Sequence, residues 1–260
     1  QQRLMQNPSL SYPLIADQRF LAFDVDGTLT PSRGEMDPEF KAWFLENVPM
    51  DRVILITGSD QVKTVEQLGE DFYSQVPISL QCCGNSIWKL GKHRWDRDWS
   101  PSELLLLILN KELEASEYCE RCGNHIETRV GMVNFSIVGR GAVGEQRERY
   151  AAYDRSTGER AAIAARIAKA TGLEAVCGGD TGIDIFPKGR DKSQLLDHAY
   201  KNISFFGDAT HEGGNDFALA EALRTDDRCR SSHEVYQVSG PVETRLHLEA
   251  LLQRITDSFQ

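Results

Sequence analysis

Long apolar runs are absent from this chain of 260 residues: the longest, "LLLLIL" at Leu104–Leu109, is far too short to span a bilayer. Positive charge is scarce as well. Lys and Arg number 29 against 39 Asp and Glu, a net charge of -10, which argues against non-specific binding to nucleic acid or anionic membranes. Neither partner is expected, although net charge does not forbid one basic pocket for a small anion. The stretch "QQRLMQNPSL" has no apolar h-region, so no secretory leader and a cytoplasmic location are expected. Six cysteines (Cys82, Cys83, Cys119, Cys122, Cys177, Cys229) in a chain this long make no disulfide framework. "CERC" at Cys119–Cys122 is half of a zinc pattern whose second pair is missing, which leaves reduced thiols. Internal repeats and low-complexity linkers are lacking too.

What is present is an alternation of strand and helix at both ends. "RFLAFDV", "DRVILITG" and "VPISLQCC" read as strands separated by the helical segments "DPEFKAWFLENV" and "SDQVKTVEQLGE". Asp37 is a natural N-cap with Pro38 at the first helical position. The last seventy residues return to this alternation, with helix "DKSQLLDHAY", strand "ISFFGD", helix from "GGNDFALAEAL", a short strand near "EVYQV" and helix "PVETRLHLEALLQRI". Continuous apolar strands between helices imply a parallel sheet covered on both faces. The middle differs, with the short strands "SIWKLGKHRW", a helix near 101–117, the strand pair "HIETRV" and "GMVNFSIVGR", the Ala-rich "GERAAIAARIAKATG", then "LEAVCGG" and "GIDIFP". The expected fold is α/β: a doubly wound parallel-sheet, Rossmann-like core (13–86 and 187–260) carrying an inserted α+β module (87–186).

In an open parallel sheet, ligands bind at the carboxyl ends of the strands. Asp24 and Asp26, Thr57-Gly58-Ser59, Lys192, and Asp208 with Asn215-Asp216 all fall at such ends or at helix starts. That inventory suits phosphoryl transfer. Carboxylates hold a hard divalent cation, most plausibly Mg²⁺. A hydroxyl and a lysine neutralise phosphoryl oxygens, and one carboxylate can attack phosphorus while a second, two residues on, exchanges protons.

"DVDGTLT", "ITGSD", "GRDK" and "FFGDATHEGGND" resemble, in order, the four motifs of the haloacid dehalogenase superfamily. The resemblance implies that Asp24 is the nucleophile and that Mg²⁺ is bound by its carboxylate, the Asp26 carbonyl and Asp208, with Asp216 in support. It casts Asp26 as general acid/base, and Thr57 and Lys192 as phosphoryl ligands. "TRVGMVNFSIVGR" with Arg147 beyond it, then "GGDTGIDIFPKGRDK", is similar to the eukaryotic-type phosphomannomutases, as are "TPSRG" and "GSDQVKTVEQLGED". The inserted module is then a cap, and Arg33, Arg129, Asn134, Arg140, Arg147, Gly182 and Asp184 are implied to contact the sugar phosphate. Three arginines in one segment of an acidic protein themselves suggest an anion site, since the guanidinium fork matches phosphate.

That family implies interconversion of mannose 6-phosphate and mannose 1-phosphate through phospho-Asp24, with a hexose 1,6-bisphosphate as intermediate and primer, in a homodimer joined through the caps. This sequence departs from the family pattern at several positions. Gly182 stands where the family carries a serine, Ala220 and Ala222 replace a phenylalanine and an acidic residue of a second cation site, and "CGNS" replaces Glu-Asn-Gly. A Pro-containing loop becomes "THEGG", and "NFSIVGR" lacks a proline. A sugar-phosphate phosphatase of the same fold is therefore the alternative. A catalytically silent binding protein is a third reading, against which the intact Asp24, Asp26, Thr57, Lys192 and Asp208 stand.

Overall fold

The computed structural model describes residues 19–198, 202–228 and 232–257. The first strand, β1 (Phe20–Phe23), shows why the large sheet is covered on both sides: Leu21 and Phe23 enter one apolar cluster and Ala22 the opposite one. Chain order continues with α1 (Pro38–Asn47), β2 (Val53–Ile56), α2 (Gln61–Leu68), the short α3 (Glu70–Tyr73) and β3 (Ile78–Gln81). The hairpin β4 (Ser86–Lys89) and β5 (Lys92–Asp96) follows, then α4 (Glu103–Ala115), β6 (Ile126–Arg129), β7 (Met132–Phe135), α5 (Glu145–Thr157), α6 (Glu159–Thr171), β8 (Glu174–Gly178) and β9 (Gly182–Phe186). The chain closes with β10 (Ile203–Gly207), α7 (Phe217–Thr225), β11 (Glu234–Gln237) and α8 (Pro241–Asp257).

The large sheet runs β11-β10-β1-β2-β3-β4-β5, parallel up to β3 and antiparallel beyond it. The small sheet, β6-β7-β9-β8, is antiparallel throughout and packs with α4, α5 and α6 around Phe135, Tyr150 and Ile183. The α/β class and its parallel core are as the sequence implied. Asp37 caps α1 by accepting from Phe40 N, with Pro38 at the first turn.

Two local expectations are corrected, and one helix was not foreseen. The inserted module is expected from residue 87, but the hairpin at its start extends the large sheet instead. There β4 pairs with β3, Leu80 opposite Ile87, so the free edge of β3 takes up the nearest strand in sequence. "DKSQLLDHAY" forms a 3-10 helix over Lys192–Asp197, capped by the Asp191 carboxylate on Ser193 N, and its end at 199–200 lies outside the described residues. The core's expected start at 13 lies outside them too. The helix α5 carries no apolar stripe; Tyr150 alone of its residues is buried, so hydrophobic spacing could not announce it. Among the described residues, the five cysteines are free and no helix is long and apolar enough to cross a membrane.

Candidate active site

The site begins where β1 stops. Asp24 N still donates to Phe206 O of β10, and then the N–H groups of Thr28, Leu29 and Thr30 all turn back onto Val25 O. Gly27 makes that turn at a φ of 70°, and a Cβ there would collide with the Asp208 carboxylate. A glycine at this position is required twice over, by backbone conformation and by space.

Asp24 is 3% exposed, and its Oδ1 accepts from Lys192 Nζ at 2.9 Å. The same ammonium donates to Asp216 Oδ1 at 2.7 Å, while Asp216 Oδ2 accepts from Ala209 N at 3.1 Å. Burial pushes the Asp24 carboxyl well above its usual range; Lys192 opposes this and the carboxylates of Asp216 and Asp208 add to it. Burial would discharge Lys192, but the attraction of Asp216 and Asp24 outweighs it and holds the amine well above an ordinary lysine. Asp208 is pushed up to about 7, by burial first and by Asp216 second. Ligand oxygens of Asp24, Asp208 and Asp216 lie within 4.8 Å of one another. A cluster of hard oxygen donors this crowded fits a divalent cation of the Mg²⁺ type, whose charge would relieve the repulsion that adds to burial in raising Asp24 and Asp208.

Thr57 ends β2 in the next strand position, 1% exposed, with its Oγ1 accepting from Ser59 N at 3.1 Å. The Asp26 carboxylate does not join the acidic cluster. It accepts from Arg33 N at 2.6 Å and Gln67 Nε2 at 2.8 Å on Oδ1, and from Ser59 Oγ at 3.3 Å on Oδ2.

The small sheet covers this group of residues. Arg129 Nη1 donates to Gly58 O at 2.7 Å, Arg33 Nη1 to Arg140 O at 3.1 Å, and Asn215 Nδ2 to Asp184 Oδ2 at 3.2 Å. A backbone hydrogen bond from Cys177 to Gly213 adds a fourth tie between the layers. Between them lies one cavity whose walls include Asp24, Asp26, Arg33, Thr57, Arg129, Asn134, Arg140, Arg147, Gly182, Asp184 and Asp208. Lys192 and Asp216 stand directly behind Asp24. Every candidate catalytic, metal and substrate residue named from the sequence is therefore in this cavity or in contact with a residue that is.

Arg140 has its pKa lowered by burial and then by Arg129 and Arg33; Arg33 and Arg147 are lowered by burial and by neighbouring arginines in the same way. Like charges pressed together in one half-buried wall form a site for an anion. Sequence reading missed Glu127, whose two oxygens accept from Arg129 Nε at 2.6 Å and Arg140 Nε at 3.0 Å. It missed Gln67 as well. The available signals were Glu127 two residues before Arg129 on one strand face, and a buried glutamine on α2. Gly182 offers no side chain. A Cβ there would lie 2.6 Å from Asn134 Nδ2, the amide that donates to Asp184 Oδ1 at 2.9 Å and whose Oδ1 accepts from Arg140 Nη1 at 3.1 Å.

A parallel sheet whose first strand leads into two aspartates, with a threonine, a lysine and a third acidic group on the adjoining loops and an α+β layer above, defines the haloacid dehalogenase fold. The same fold is seen in an N-terminally truncated, IMP-bound IMP-nucleotidase of Plasmodium falciparum, at a TM-score of 0.58 and 17% identity over 90% of this chain and 68% of that one. Within that class, residues 42–254 match the eukaryotic phosphomannomutase model, and the chain belongs to this family. It is 32% identical to the phosphomannomutase of Saccharomyces cerevisiae over 80% of this chain and 87% of that protein. Against the phosphomannomutase of Arabidopsis thaliana the identity is 33%, over 78% and 87%.

Proposed function

We propose that this protein is a divalent-cation-dependent phosphomannomutase that interconverts mannose 6-phosphate and mannose 1-phosphate. The observation that carries the reading is that two unlike groups share one cavity. Its walls include Asp24 and Thr57, with Lys192 behind Asp24, and also the mutually repelling Arg33, Arg140 and Arg147. A phosphatase needs only the Asp24 group. A mutase must also hold the second phosphate of a hexose 1,6-bisphosphate, the proposed intermediate and primer.

In this reading Asp24 attacks phosphorus, Thr57 and Lys192 take up phosphoryl oxygens, and Asp26 gives a proton to the departing sugar oxygen and later takes one from the attacking hydroxyl. Asp24 and Asp208, with Asp216 beside them and the Asp26 carbonyl, would hold Mg²⁺. The cation would neutralise charge on the transferring group. Arg129, Arg140, Arg147, Asn134 and Asp184 grip the far end of the sugar, and the layer from α4 to β9 acts as the cap. The ties between this layer and the large-sheet layer, the Arg147 Nη2 to Ser32 Oγ contact at 3.4 Å among them, must open for the bisphosphate to turn round, and must close again to keep water from phospho-Asp24.

The test is to incubate the protein with mannose 1-phosphate, Mg²⁺ and a trace of glucose 1,6-bisphosphate, following mannose 6-phosphate and free phosphate. Mannose 6-phosphate formation that rises with the primer is expected. Phosphate release without isomer formation would replace the mutase by a phosphatase.

Cation binding has its own signature. Asp208 holds its proton up to about pH 7 in the fold but only to about pH 4 when unfolded. Between those values the folded state binds more protons, so stability falls as pH rises. A divalent cation takes the proton's place. The thermal midpoint should therefore decline from about pH 5 to about pH 7 in chelator and flatten in excess Mg²⁺. Parallel curves in the two conditions would argue against the cluster as the cation site.

A further inference from the structure

The Asp26 carboxylate is held from more than one side, and one of its holders is a side-chain amide from a helix outside the four motifs. Gln67 reaches across from α2, 2% exposed, and its Nε2 donates to Asp26 Oδ1 at 2.8 Å, with Thr30 Oγ1 and Gly34 O each 3.2 Å from the same nitrogen. Its own Oε1 is buried without a hydrogen-bond partner. Exchanging the two ends of the amide would set an oxygen against three oxygens, so the surroundings dictate which end faces Asp26. A side chain present only to fill space would not carry a bare buried carbonyl in order to keep an N–H on one carboxylate.

The two oxygens of Asp26 are thereby made unequal. Oδ1 accepts from Arg33 N and Gln67 Nε2, and neither nitrogen can turn to accept. A proton on Oδ1 would point at two donors. Oδ2 meets only the Ser59 hydroxyl at 3.3 Å, which can rotate to donate or to accept.

We propose that Gln67 is a positioning residue for Asp26: it locks the carboxylate rotamer and confines the exchanging proton to Oδ2. The inference rests on the reading of Asp26 as the general acid/base. As the phosphorus–oxygen bond to the sugar breaks and the bond to Asp24 forms, the proton on Oδ2 passes to the sugar oxygen. In the return transfer, the attacking hydroxyl gives its proton back to Oδ2. The charged groups around this exchange are Arg33 from the same loop, Asp24, Asp208 from the loop after β10, Lys63 from α2 and Arg147 from the covering layer. Gln67 is neutral, so replacing it by an apolar residue of similar length leaves that charge balance untouched.

The experiment is single-turnover phosphorylation of Asp24 by two donors, glucose 1,6-bisphosphate and 4-nitrophenyl phosphate, in wild type, Gln67→Met and Asp26→Asn. The sugar oxygen needs a proton as it leaves and 4-nitrophenolate does not. Gln67→Met should slow phosphorylation by the bisphosphate by roughly 10- to 100-fold, with saturation constants within about threefold, while the nitrophenyl donor loses less than about threefold. Equal losses on both donors would mark a structural role and overturn the proposal. Wild-type rates in Gln67→Met beside a disabled Asp26→Asn would overturn it alone. An Asp26→Asn protein that is still fully active would remove the acid/base reading itself. Should Gln67→Met fail to fold, Gln67→Glu replaces it. Its carboxyl can donate to Oδ1 only when protonated, so its bisphosphate rate must recover toward low pH relative to wild type, and an unchanged ratio would overturn the proposal.

Discussion

Asp24→Asn is expected to lower turnover of mannose 1-phosphate by a factor on the order of 10⁴ or more while the protein stays folded. An amide cannot attack phosphorus, so no phosphoryl group can lodge on residue 24. The fold should tolerate the change because Lys192 keeps its shorter contact, 2.7 Å to Asp216, and remains paired in its buried position. Asp24 is itself a desolvated carboxyl whose pKa is pushed well up by burial, so exchanging it for a neutral isostere removes a group the interior holds in charged form only with Lys192's help. Turnover in the coupled assay and a melting curve check the two halves. Activity within about tenfold of wild type would remove Asp24 as the nucleophile.

Lys192→Met should damage both activity and stability. The ammonium is fully buried between Asp24 and Asp216. Deleting one member of a buried ion pair leaves the other charge uncompensated and typically costs about 3–5 kcal/mol. Here two carboxylates lose their partner, with Asp208 close by, and the Asp24 carboxyl, already pushed up by burial, loses the group that opposed this and is driven to its protonated form. In the proposed mechanism a protonated Asp24 would be a poor nucleophile, and a phosphoryl oxygen would lose a cationic ligand. Turnover should fall by roughly 10²- to 10³-fold. Denaturant unfolding and the coupled assay measure these effects. If the cluster holds the cation as proposed, saturating Mg²⁺ should restore part of the stability, because it would compensate the same carboxylates. Unchanged stability would mean that the ammonium does not hold this cluster together.

Much of this architecture was legible in the sequence, for a local reason. A short apolar strand that ends in Asp24-x-Asp26, Thr57 or Asp208 announces both the strand and its functional end, because parallel strands present ligands at their carboxyl ends. The helix cap at Asp37 is equally local, since its carboxylate serves an N–H three residues on. The hairpin 86–96 was different. Its pattern says that two strands pair, and nothing in it says whether they join the edge of β3 or the small sheet. Helix α5 has polar residues on nearly every side and gave no periodic signal. Glu127 lay unremarked in the strand "HIETRV", and only the fold sets it between two guanidiniums. Gln67 read as part of a helix until its amide met Asp26.

By itself, the sequence determined the α/β class, the family, and the set of chemically capable groups waiting at the strand ends. Those properties follow from residue spacing within a few positions. Tertiary structure decided which groups touch. Lys192 meets Asp24 across 168 residues of chain, Arg33 meets Arg140 across 107, and Gln67 meets Asp26 across 41. No local pattern encodes a contact of that kind. It exists only once burial has removed the water that would otherwise satisfy each of these groups alone.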